Sequence, residues 1–157
     1  MPEKPDSSPP LADPMSLAFA QAHAAAARGE APIGAAIVRD GRVIATAGNR
    51  TRGDCDPTAH AEMIALRAAA AALRSERLVG CDLYVTLEPC AMCAGAISHA
   101  RIRRLYYAAP DPKGGAVDHG PHFFAQATCH HAPDVYGGIR ESEAAELLRE
   151  FFRARRE

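Results

Sequence analysis

The sequence predicts an α/β domain of three layers, α/β/α, built around a central mixed sheet of about five strands. Three observations carry that expectation. Stretches that alternate apolar and polar residues take turns with stretches whose apolar residues recur at helical spacing. Asp40-Gly41 sits between two strand patterns, which marks a tight hairpin and therefore an antiparallel pair. The chain has 157 residues, the size of one domain with a core of its own.

The elements follow in order. Residues 1–14 hold five Pro and scattered charges, and are expected to be a disordered lead-in to a single domain over 15–157. Met15 to Arg28 reads as a helix that Gly29 stops. Ile33 to Arg39 and Arg42 to Ala47 read as the hairpin strands, and a polar loop runs on to Pro57. Thr58 to Leu73 is the second helix. Asp82 to Glu88 alternates Leu83, Val85 and Leu87 against Tyr84, Thr86 and Glu88, the pattern of a strand. Pro89 suits the first position of a third helix reaching about His99, and Ile102 to Ala109 is another strand. A Gly/Pro-rich loop spans Pro110 to Pro121, and a last helix covers about Glu141 to Arg155.

Composition narrows the function classes. The net charge is -1, so any site for a polyanion must come from a local patch. Hydrophobic residues make up 48%, and the larger of them suffice for one compact core. Five Cys is an odd number for a secreted disulfide framework. No N-terminal apolar run resembles a signal peptide, and no window approaches the ~18 apolar residues of a membrane span. The expectation is therefore a set of thiols in a reducing cytoplasm.

Spacing separates two of those thiols from the rest. Cys90 and Cys93, three apart at the start of the third helix, share a face and sit where unpaired N–H groups and the helix dipole favour thiolates. A lone Cys-x-x-Cys is also common by chance, and Cys is often only a small buried residue. His60 opens the second helix and offers a third ligand. Zn2+ prefers such thiolate and imidazole donors, and three protein ligands leave one position open, which marks a catalytic zinc. His60-Ala61-Glu62 together with Pro89-Cys90-Ala91-Met92-Cys93 is recognised as the signature of zinc nucleobase deaminases. Glu62 is then the non-ligand carboxylate that takes a proton from an activated water and returns it to a leaving amine. Cys55, Cys81 and Cys129 receive no role.

The likeness extends beyond these motifs. Ala31-Pro32-Ile33-Gly34-Ala35, Gly48-Asn49-Arg50, Asp56-Pro57-Thr58-Ala59-His60-Ala61-Glu62, residues 83–96, Asp111-Pro112-Lys113 and residues 151–156 resemble the bacterial tRNA adenosine deaminase family. That family lies within the zinc-dependent cytidine/deoxycytidylate deaminase superfamily. The resemblance covers about residues 15–156. It implies a cytidine-deaminase-like fold, a homodimer, one Zn2+ per subunit, and conversion of the wobble adenosine of an arginine tRNA (ACG anticodon) to inosine. It implies His60, Cys90 and Cys93 as zinc ligands and Glu62 as proton shuttle. It implies Asn49 as a contact to the flipped nucleotide, although Asn before Arg is also an ordinary turn residue. Ala31, Pro32, Ile33 and Ala61 would line the base pocket, and Asp111 and Lys113 would lie beside sugar and phosphate. After Asp111 the chain departs from the commoner Gly-Ala-Ala-Gly-Ser run: Gly115 to Gly120 leads into Pro121-His122-Phe123-Phe124.

The last helix adds a candidate RNA surface. Leu147, Leu148, Phe151 and Phe152 form an apolar stripe, and Arg149, Arg153, Arg155 and Arg156 cluster near its end. Phe151, Phe152, Arg153, Arg155 and Arg156 suit phosphate tracking and base stacking, although a charge run is also a common solvated face. A second basic group, Arg101, Arg103 and Arg104, reads equally as edge charges or dimer contacts. Two rival functions stand beside the tRNA reading. One is a deaminase of free guanine, cytosine or a nucleoside on the same fold. The other is a catalytically silent RNA-binding or partner subunit, against which the presence of Glu62 argues.

Overall fold

A computed structural model of the chain describes residues 13–156, apart from the side chain of Arg156. The expected lead-in therefore lies outside the described residues except at its end. There Asp13 caps the first helix, accepting from the Met15 backbone at 3.4 Å, and Pro14 occupies its first turn. The helices are α1 (Pro14–Ala27), α2 (Ala61–Leu73), α3 (Ala91–Ala100) and α4 (Glu141–Arg156). The strands are β1 (Gly34–Arg39), β2 (Arg42–Gly48), β3 (Asp82–Leu87), β4 (Arg104–Ala109) and β5 (Asp134–Tyr136).

The sheet order is β2-β1-β3-β4-β5. β1 is antiparallel to both β2 and β3, while β3, β4 and β5 are parallel, so the sheet is mixed. Asp40 and Gly41 have φ of 51° and 73°, the paired positive angles that the hairpin turn demands. Strand alternation then sorts side chains into two cores. Ile37, Leu83, Val85 and Leu105 face α2 and α3, where they meet Ala65, Leu66, Ala69 and Ile97. Tyr84 and Tyr106 face the other way, toward Met15, Phe19 and Ala144 of α1 and α4. The three layers are thus as expected. Burying each large aliphatic side chain of this kind contributes about 2 kcal/mol.

Alanine and glycine let the layers approach closely. A Cβ on Gly34 would lie 1.9 Å from the Ala18 carbonyl oxygen, so only glycine admits α1 onto β1 there.

Two helices start later than the sequence pattern implies. α2 begins at Ala61 rather than Thr58, because Asp56 folds the preceding residues into a turn. Its Oδ1 accepts from both the backbone and the hydroxyl of Thr58, each at 2.8 Å. α3 begins at Ala91 rather than Pro89, with Cys90 in the extended capping position. β5 and a 3-10 turn at Phe123–Ala125 fall between Pro121 and Glu141, where the sequence pattern assigned no element. Three residues are too few for β5 to show an alternation.

This topology brings one end of the sheet together. The start of β1, the ends of β2, β3 and β4, and the N-termini of α2 and α3 all lie there. In parallel segments, ligands are received at the carboxyl ends of strands.

Candidate active site

The two helix N-termini are capped unconventionally. Ser, Thr, Asp and Asn normally fill the capping position because their oxygens accept from the first free N–H groups. Here His60 caps α2 and Cys90 caps α3, and neither side chain makes a capping hydrogen bond. They turn toward each other instead. His60 Nδ1 lies 3.6 Å from Cys90 Sγ and 3.5 Å from Cys93 Sγ. All three ligand atoms fall within 4.8 Å of one another.

Those spacings fit one tetrahedral ion. Zinc–sulfur and zinc–nitrogen bonds of about 2.3 and 2.05 Å at the tetrahedral angle separate the two donors by about 3.6 Å. The donor set, one imidazole and two thiols, is chemically a zinc set. Cys90 sits at the helix cap and not on its face as the spacing implied, yet its thiol still converges with Cys93. Hydrogen bonds from Cys93 and His60 outweigh burial and pull Cys90 down to about 4. Cys93 is pushed the other way by Cys90 and by burial. A bound divalent cation would hold both sulfurs as thiolates.

Glu62 occupies the first turn of α2 and is buried. Burial pushes its carboxyl above the ordinary value, and the charge on Cys90 adds to that. It stands beside the ligand cluster without belonging to it.

Asn49 is buried at the end of β2, and its Oδ1 accepts from the Ala61 backbone at 2.9 Å. It thereby supplies the cap that His60 forgoes, which is more than a turn residue does. Its own backbone is held on both sides, by N–H donation to the Ile33 carbonyl at 3.1 Å and by Arg28 donating to its carbonyl at 3.1 Å. Ala31, Pro32 and Ile33 therefore run beside Asn49. Pro32 is buried, and Ala31 and Ile33 are half-buried.

Asp111 and Lys113 lie on the loop after β4. Asp111 Oδ1 accepts from the backbones of Lys113 and Gly114 at 3.1 and 3.0 Å, and the Lys113 residue is exposed. Asp111 thus shapes its own turn.

Two carboxylates escaped the sequence reading. Glu88 is buried just before the Pro89-Cys90 corner and gathers the whole loop after β4. It accepts from the backbones of Asp111, Val117 and Asp118 at 3.0–3.2 Å, and pairs with His119 Nδ1 at 2.7 Å. Burial opposes its ionisation, but these donors outweigh it and hold the carboxyl below its ordinary value. The atypical Val117-Asp118-His119 run is therefore docked, and Asp118 also accepts from the Tyr107 hydroxyl. Glu30 is buried likewise. It accepts from Gly53 N at 2.7 Å, Arg52 N at 3.2 Å and Thr51 Oγ1 at 3.5 Å. Neither is marked in the sequence: β3 ends at Leu87, so Glu88 lies beyond the strand alternation, and its donors come from a loop 23 to 31 residues further on.

The C-terminal residues are arranged differently. Leu147 packs on the α1/α4 core, Phe151 is half-buried and Phe152 is half-exposed. Arg155 lies 4.2 Å over the Phe151 ring and donates to the Gly29 carbonyl at 2.7 Å. Arg153 is exposed. In the second basic group, Arg103 is committed to Asp82 through two hydrogen bonds at 3.0 and 2.9 Å.

Comparison with known proteins agrees with this geometry. Residues 11–109 match the cytidine and deoxycytidylate deaminase zinc-binding region. The chain is 66% identical to the tRNA-specific adenosine deaminase of Agrobacterium fabrum, over 90% of this chain and 93% of that one. It is 46% identical to the tRNA-specific adenosine deaminase of Haemophilus influenzae, over 91% and 83% of the two chains. A solved structure from a study of A-to-I editing by tRNA:A34 deaminases at the wobble position superposes with a TM-score of 0.85 at 65% identity. That match covers 86% of this chain and 98% of the other. The guanine deaminase of Nitrosomonas europaea superposes at 0.76 with 27% identity, over 88% and 82%. The chain therefore belongs to the cytidine and deoxycytidylate deaminase family of zinc-dependent hydrolases, among its tRNA-specific adenosine deaminases.

Proposed function

We propose that this chain hydrolyses the wobble adenosine of an arginine tRNA with an ACG anticodon to inosine, consuming water and releasing ammonia. The observation that carries the reading is the His60/Cys90/Cys93 cluster with Glu62 beside it, on a chain 66% identical to a tRNA-specific adenosine deaminase. Zn2+ held by the three ligands, one ion per subunit, supplies the Lewis acidity that makes water nucleophilic at neutral pH. Glu62 takes the proton released as the oxygen of water bonds to C6 of the purine, and passes it to N1, which receives the electron pair of the broken C6–N1 double bond. It then takes the second proton, from the new C6 hydroxyl, and delivers it to the amine, which leaves as ammonia as the exocyclic C6–N bond breaks and the C6 carbonyl forms. One carboxyl serves both transfers because they occur in sequence. Asn49 and the Ala31–Ile33 wall hold the flipped base, Ala61 backs it, and Asp111 and Lys113 flank the sugar and phosphates. An anticodon-loop base is already outside a duplex, so extruding it costs little.

The tRNA body is read by Phe151, Phe152, Arg153, Arg155 and Arg156 at the end of α4. Its half-exposed aromatic and exposed guanidinium support that assignment. The working form is a homodimer in the cytoplasm. A groove of about 580 Å³ between α2 and α3, lined by Met63, Leu66, Ala70, Leu78 and Ala96, supports an apolar contact with a second copy. Among the described residues no helix is long and apolar enough to cross a membrane.

The 27% identity to a guanine deaminase keeps a free-base substrate as the reading to defeat. Parallel incubations with the arginine tRNA and with free guanine separate the two. Inosine in the tRNA is the expected product. Guanine turnover with the tRNA left intact would overturn the proposal.

A further inference from the structure

Glu30 is a buried ionised group that the proton-transfer chemistry does not use. It stands on the α1–β1 connection, directly before the Ala31–Ile33 wall, and reaches across to the loop that joins β2 to α2. One carboxylate oxygen accepts from Gly53 N at 2.7 Å. The other accepts from Arg52 N at 3.2 Å and Thr51 Oγ1 at 3.5 Å. That loop has Asn49 at one end and His60 at the other, and its mouth is closed by Arg50 N donating to the Ala59 carbonyl at 3.0 Å. A second strap crosses the same gap, from Arg28 to the Asn49 carbonyl at 3.1 Å. The two loops are thus tied at these two points, one residue to either side of Gly29, in addition to the Asn49 N–H bond to the Ile33 carbonyl at 3.1 Å that continues the sheet.

We propose that Glu30 is a positioning residue, whose carboxylate sets the spacing between the Ala31–Ile33 wall and Asn49 and so the orientation of the base presented for deamination. The proposal rests on the functional reading above. The carboxylate suits this task because both its oxygens are acceptors and every group it meets is a donor. An amide in its place would set an NH2 group against a backbone N–H. The ion is stable in this buried setting. Burial opposes the charge, but the N–H groups of Gly53 and Arg52, the Thr51 hydroxyl and the Arg28 guanidinium outweigh it, holding the carboxyl below its ordinary value. The clasp does not touch His60, Cys90, Cys93 or Glu62 through any of its hydrogen bonds. Its effect is therefore separable from metal binding.

Contacts along the rest of a tRNA fix how tightly it binds, whereas base orientation governs how often a bound substrate reacts. Glu30→Gln should therefore lower kcat on the tRNA at least tenfold per zinc-loaded enzyme. KM should stay within threefold and the bound zinc should be unchanged. Glu30→Asp, which keeps two acceptor oxygens on a shorter stem, should fall between parent and Glu30→Gln. Arg28→Gln cuts the second strap at an exposed position, and should also lower kcat without moving KM. It carries the test if Glu30→Gln does not fold. A kcat within twofold of the parent in the folded variants would overturn the proposal, as would activity lost only in proportion to zinc. If the parent enzyme deaminates guanine and spares tRNA, the functional reading fails separately. The clasp is then read from kcat/KM on guanine, with the same tenfold criterion.

Discussion

The catalytic end of the sheet and the C-terminal helix are both rich in charge, but they hold it in opposite ways. At the sheet end, Glu30, Glu62 and Glu88 are buried, and Glu30 and Glu88 each gather three or more donors. In α4, Arg149 pairs with Glu146 on an exposed surface, and Arg153 is solvated. A buried charge must be satisfied by fixed partners, so it determines loop geometry. An exposed charge is screened and contributes mainly to the long-range attraction of a polyanion. Under the proposed function, the first kind of charge suits base positioning and the second suits encounter with the tRNA.

Breaking the sheet-end region should have the largest effects. Cys93→Ala removes a ligand that is itself buried, and should abolish both bound zinc, measured by metal analysis, and deamination. Glu62→Ala should keep the zinc and lower kcat by about 10³-fold, because in the proposed mechanism its carboxylate moves protons and is not a ligand. Loss of zinc in that variant would show that Glu62 serves the metal.

Glu88→Ala should lower unfolding free energy by about 3 kcal/mol in urea titration, since it strands the backbone N–H groups of Asp111, Val117 and Asp118, that of Val117 in a buried position. An unchanged midpoint would show that the loop after β4 holds itself.

The exposed region should respond weakly and through salt. Arg153→Gln should reduce the slope of log binding constant against log salt for the tRNA by about 1. A stability change instead would place Arg153 with the buried groups. The smallest effect is in pH. Glu30 has a folded value below its ordinary one, so the stability it contributes is present above the ordinary carboxylate value. That stability is lost as pH falls through the folded value. Acid unfolding of Glu30→Gln should accordingly be less steep than that of the parent.

The same contrast explains what could be read in the sequence. The His60, Cys90 and Cys93 cluster was legible because two short motifs single out its members, each near the start of a helix that the pattern predicts. The layers were legible because strand patterns, plainest in the alternation of β3, take turns along the chain with segments of helical spacing. Glu30 and Glu88 were not legible as anchors. Their partners are backbone N–H groups 22 to 30 residues away, and backbone groups leave no mark in a sequence. The start of α3 was misplaced because a proline suits a first turn, whereas here Pro89 precedes the capping Cys90. β5 is three residues long and owes its strand geometry to pairing with β4, which no local pattern announces. The tie from Arg155 to the Gly29 carbonyl was not legible either, because that partner is a backbone group 126 residues away.

The identity of the substrate base tests the proposed function most directly. Zinc-loaded protein incubated with an arginine tRNA bearing an ACG anticodon, followed by digestion and nucleoside analysis, should show inosine at the wobble position and nowhere else. The Glu62→Ala variant should show none. Unchanged adenosine at the wobble position, with ammonia released from free guanine instead, would contradict it.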